Sequence, residues 1–118
     1  SRTNTSLQSL GLLNETQRVE MSRKLAERLL VAADSDEGRV ERLFAWLACR
    51  PPSERELSAS NRLLEQMRER YTADREAAGA LLSVGDASVN SELDASELAA
   101  WTQLVAAVLA SDTAIMLY

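Results

Sequence analysis

The run ELAAWTQLVAAVL at residues 97–109 decides the fold. Only Thr102 and Gln103 interrupt it after Glu97, so a helix built from it has no broad face for water. A helix that is apolar nearly all round has to be covered on most sides. Asp94 precedes the run and Glu97 stands three residues on, which predicts an N-cap whose third residue reaches back to the cap. The spacing therefore predicts a central helix over residues 94–109, with the rest of the chain wrapped around it.

Composition agrees. The 118 residues suffice for one domain with its own core and are too few for two. Ala, Leu, Glu and Arg dominate, all strong helix formers, while 4 Gly and 2 Pro are too few for a fold rich in tight turns. The net charge of −5 argues against nucleic acid, because phosphate recognition needs a basic surface. No stretch reaches the length of a membrane span. Beginning at Ser1 and not at Met, the chain reads as a processed or excised piece of a larger protein.

Upstream, Leu7, Leu10, Leu12 and Leu13 form an apolar cluster too short for a long helix, expected to pack as a lid. Asn14 with Gln17 predicts a capping box and a first helix over residues 15–33, its buried stripe Leu25, Ala26, Leu29, Leu30 and Ala33. Acids and a glycine at 34–38 invite a calcium loop. That loop needs Gly at its sixth position and Glu at its twelfth, whereas counting from Asp34 puts Gly38 fifth and Ala45 twelfth. Acids at a helix start are explanation enough. A second helix over residues 37–49 buries Val40, Leu43, Phe44, Leu47 and Ala48, with Trp46 at the edge of the stripe. Pro51 and Pro52 stop it. Ser53 and Glu56 are a second capping box, opening a helix to residue 71 or 72 with Leu57, Leu63, Leu64, Met67 and Tyr71 inward. A shorter helix is expected over 73–84, a loop over 86–93, and then the central helix. The chain ends on Ile115, Met116, Leu117 and Tyr118. So apolar an end folds back onto the first two helices or contacts another chain or domain.

Much chemistry is excluded. Without a single His, neither Ser-His-Asp nor Cys-His nucleophile systems can be assembled, nor thiolate–imidazole zinc sites. Cys49 is the one cysteine, so no internal disulfide is possible. There is no Gly-rich phosphate loop. The 18 acids are expected on solvated helix faces. No catalytic, cofactor or metal residue is assigned.

Several stretches, in order, resemble a bacterial family labelled domain of unknown function 1553, in its C-terminal portion. They are LGLLN at 10–14 with KLAER at 24–28, RVERLF at 39–44 with RPPSERE at 50–56, LLSVG at 81–85, and AAW at 99–101 with VL at 108–109. The family's close carries Asn and Glu near where this chain has ASDT at 110–113. The resemblance implies a large exported or periplasmic parent, often fused to another domain of unknown function and sometimes to a cytochrome c domain. No heme attachment motif occurs here.

These readings predict an all-α bundle of four to five helices forming one domain. The expected role is a non-catalytic structural or interaction module, with the remainder of the parent chain or a second copy as partner. Cofactors, nucleic acid and membrane insertion are not expected. Candidate contact residues are Trp46, Ile115, Met116, Leu117 and Tyr118. Two alternatives differ in their signatures. An accessory domain shaping a parent enzyme's site would bring acids together in a cleft with shifted pKa values. A peptide-groove binder would surround Trp46 with an exposed apolar groove.

Overall fold

A computed structural model describes residues 13–85 and 88–116, with side chains to residue 111. Among them the chain forms five helices and no strand: α1 Glu15–Ala32, α2 Asp36–Ala48, α3 Glu54–Ala73, α4 Arg75–Leu82 and α5 Ala95–Met116. The expected lid residues Leu7, Leu10 and Leu12, and the side chains of Ile115, Met116, Leu117 and Tyr118, lie outside the described residues.

Side-chain caps set the starts of the helices. Asn14 accepts the Gln17 N–H at 2.8 Å while the Gln17 side chain accepts the Asn14 N–H at 3.0 Å. Ser53 and Glu56 repeat this exchange at α3, at 3.1 and 2.9 Å. Ser35 caps α2 by accepting from Gly38 at 3.0 Å, with Asp36 and Glu37 in the first turn, where the dipole favours acids. α2 stops on Cys49, held in the left-handed region at φ 57° ahead of the two prolines. Asp74 is a hinge between two helices. Its N–H donates to the Arg70 carbonyl at 2.9 Å, and its carboxylate caps α4 at the Ala77 N–H, 3.0 Å away.

α5 is the hub and packs against each of the other four helices. Leu98, Ala99, Ala100, Trp101 and Val105 are 0% exposed and Thr102 and Leu104 are 1%, so this stretch is enclosed except at the half-buried Gln103. Its two polar interruptions are both satisfied, one within the helix and one across to α3. Thr102 donates its hydroxyl to the Leu98 carbonyl at 2.7 Å, and Gln103 donates to the Tyr71 hydroxyl at 2.9 Å. The surrounding wall is Ala26 and Leu29 of α1, Val40, Leu43 and Phe44 of α2, Leu64 and Tyr71 of α3, and Ala78 and Leu82 of α4.

Three details differ from the sequence expectation. α5 continues to Met116 and does not stop at Leu109, because a single polar turn (Ser111 to Thr113) carries no helix breaker. Asp94 does cap α5, accepting the Glu97 N–H at 3.0 Å. The Glu97 carboxylate, however, turns away from the cap to an arginine and a tryptophan. Ser22 and Arg23 are buried on the inner face of α1 beside Ala26 and Leu29. Arg23 is tolerated there because its guanidinium donates to Glu27 at 2.9 Å and to the Ser88 carbonyl at 3.2 Å, consistent with the rule that buried charge is paired.

Candidate docking surface

The two ends of α5 differ in kind. At the N-terminal end, side chains from three helices close a polar ring around the Trp101 indole. Arg68 of α3 donates two hydrogen bonds to Asp36 at the start of α2, at 2.8 and 2.9 Å. The same guanidinium holds Glu97 of α5, with Nε 3.0 and 3.2 Å from the two carboxylate oxygens and Nη2 on one of them. Glu97 also accepts the Trp101 indole N–H at 3.1 Å. Arg39 of α2 lies over the Trp101 ring, 5.8 Å from its centroid, and donates to the Ala33 carbonyl at 2.8 Å. Its guanidinium is 3.7 Å from Asp36, which completes the ring.

Two carboxylates converge here, the arrangement an acid–base site would show. The chemistry is that of an anchor. The Arg68 hydrogen bonds hold the Asp36 carboxyl below its ordinary range, and Asp36 and Glu97 together push Arg68 up. A carboxylate so held stays ionised and is poorly suited to proton transfer near neutrality. Among the described residues, no group of three or more His, Cys, Asp or Glu side chains is placed to hold a metal ion.

Towards the C-terminal end the wall thins, although Val108 and Leu109 remain buried. Ala107, Ala110 and Ser111 are exposed and Ala106 is half-buried, a face of small side chains between α1 and α3. A groove of about 580 Å³ runs along its α1 side, lined by Leu13, Val19, Ser22, Ala106, Leu109 and Ala110, with Glu15 and Arg18 at its polar margin. On the α3 side lies a smaller, more apolar cleft of about 160 Å³ among Phe44, Ala59, Ser60, Leu63, Leu104, Ala107 and Val108, with Glu56 and Ser111 also in its wall. Beside this cleft Arg50 makes a bidentate pair with Glu56 at 2.7 and 2.8 Å and sits 5.8 Å from the Phe44 centroid. That pair, with the Ser53 N–H, draws the Glu56 carboxyl down to about 2.

Trp46 is elsewhere. It is 38% exposed on the outer side of α2, with the Arg28 guanidinium 5.5 Å from its ring centroid. Neither groove beside α5 includes it. Of the residues expected to make contacts, Trp46 therefore stands apart from the α5 surface. The backbone of α5 carries Ile115 and Met116 onward from its open end. Sequence reasoning missed the residues that form the grooves, chiefly Val19, Ser22, Ala106 and Ala110. Alanines within an apolar run look the same whether they are walled in or exposed.

Fold and surface together define an all-α bundle whose central helix is enclosed at one end and open at the other. The chain belongs to the family described as protein of unknown function (DUF1553), whose model matches residues 1–64. That span takes in α1, α2 and the first half of α3. The resembling stretches at 81–85, 99–101 and 108–109 lie beyond it. No curated protein matches the chain, and no solved structure does.

Proposed function

We propose that this chain is a non-catalytic packing module of a larger exported bacterial protein, placed towards that protein's C-terminal end. It docks the remainder of its parent on the open face of α5. The observation that carries this reading is the contrast along one helix. Residues 98–105 are enclosed almost completely, whereas the next two turns present Ala106, Ala107 and Ala110 between two grooves. Small side chains let another helix approach closely, and grooves on both sides receive its flanking residues. The Arg68 anchor supports the same reading, since its two converging acids brace helices together.

The test is association in solution. The chain and the remainder of the parent protein, produced separately, are mixed and followed by calorimetry, with light scattering on the chain alone to detect a second copy. The expected result is a complex that Ala107→Glu abolishes and Trp46→Ala leaves intact. Binding that depends on Trp46 and ignores Ala107 would move the surface to the outer side of α2. No association in either experiment would remove the proposal.

A further inference from the structure

The large hydrophobic side chains exposed among the described residues are Val31, Trp46 and Val89, at 72, 38 and 36%. All three border Arg28 on the outer side of α1 and α2. The Arg28 guanidinium sits over the Trp46 ring, and Arg28 and Val31 line a shallow hollow of about 370 Å³ with Ala32 and Asn90, the chain neighbour of Val89. Lys24 stands one turn from Arg28, and Arg42 one turn from Trp46, so both share this face. Lys24, Arg28 and Arg42 are exposed and make no ion pair among the described residues, and the Trp46 indole N–H donates to no group among them. The neighbouring acids are engaged or turned away. Glu27 accepts from Arg23 and from the Asn90 N–H, each at 2.9 Å, and Glu20 lies against Gly85. At about 100° per residue, Glu37 and Glu41 stand more than a quarter-turn round α2 from both Arg42 and Trp46. In a chain of net charge −5, this face is a basic, aromatic and apolar island.

We propose that this face binds an acidic segment of another protein, its carboxylates on Lys24, Arg28 and Arg42 and an apolar side chain against Trp46 and Val31. Trp and Arg are the side chains that most often carry binding energy. The Trp46 ring already steadies the Arg28 guanidinium, so less freedom is lost when a carboxylate pairs with it. Charge decides the class of partner. The net negative charge of the chain repels a long polyanion such as nucleic acid. Three cations also fall short of the cluster of about four to eight that holds a protein to an anionic membrane. A peptide carries carboxylates together with apolar side chains and backbone carbonyls, and so matches the cations, the hollow and the indole N–H at once. The inference does not rest on the parent-docking reading, which uses the open face of α5 and leaves Trp46 out.

Nitrogen–proton NMR spectra of the chain, titrated with a short peptide of Glu and Asp flanking a Leu-Phe pair, test it. The chain has two indole N–H groups, on Trp46 and Trp101, and Trp46→Phe assigns their signals. The Trp46 signal should move saturably with the peptide, while that of Trp101, held by Glu97, stays in place. A peptide with Lys at every acidic position should move neither. Arg28→Glu and Arg42→Glu should each weaken binding about tenfold or more, with an unchanged Trp101 signal to show that the fold is intact. Added salt should weaken it too. Ala107→Glu should leave peptide binding as it is, so this face and the parent-docking face can fail separately. An unmoved Trp46 signal, equal shifts with the Lys peptide, or binding indifferent to Arg28→Glu would overturn the proposal. So would phosphatidylserine vesicles that move the Trp46 signal when the peptide does not, because the partner would then be a membrane.

Discussion

Trp101 concentrates the residue-scale energetics. It is the largest fully buried side chain, and both faces of its chemistry are used, the ring beneath Arg39 and the indole N–H on Glu97. Trp101→Ala should cost about 3–5 kcal/mol, the range for deleting a buried aromatic, measured by urea unfolding. A loss below about 1 kcal/mol, the size of an ordinary surface substitution, would place the ring outside the core. The burial of Trp101 was legible from its place in an apolar helical run. That Glu97 turns to the ring and not to its own cap was not, because the Arg68 guanidinium that draws the carboxylate away lies 29 residues off on a different helix. Nothing local distinguishes an acid that folds back on its own cap from one that a distant guanidinium draws away.

At the scale of elements, the helix starts were readable because capping is local chemistry. The exchanges at Asn14 and Gln17 and at Ser53 and Glu56 span only three residues each. Asn14→Ala should cost about 1 kcal/mol, the usual loss for an N-cap of this kind, seen in thermal or urea unfolding. The end of α5 was not readable, since a polar turn without Gly or Pro neither stops nor sustains a helix by itself. Links between elements carry their own predictions. Arg68→Met removes the tie joining α2, α3 and α5. With the Arg68 side chain 33% exposed, solvent screening holds the loss to about 1 kcal/mol, and it should shrink further at high salt. The pair of Arg50 with Glu56 should show in the acid limb of stability. The folded Glu56 carboxyl is depressed from its ordinary 4.5 to about 2. Its contribution is therefore fully present above about pH 4.5 and is lost as pH falls towards 2. Glu56→Gln should melt lower than the parent sequence at neutral pH, with the gap closing as the solution is acidified through that window. A gap independent of pH would mean that the pair contributes nothing.

Across the whole molecule, the asymmetry of α5 organises everything else. Four helices and the Arg68 ring enclose its first half, and the second half borders grooves on two sides. The all-α bundle and its central helix were legible in the period and apolarity of residues 97–109. The position of the open face was not, because Ala99 and Ala100 are buried while Ala107 and Ala110 are exposed, a difference made by which residues of other helices pack beside each. Hydrogen exchange along α5 in this chain measures that asymmetry directly, since amides exchange through local opening where cover is thin and through global unfolding where it is complete. The amides of residues 98–105 should exchange only with global unfolding, and those of 106–111 should open at distinctly lower free energy. Equal protection along the helix, or stronger protection at 106–111, would contradict that asymmetry.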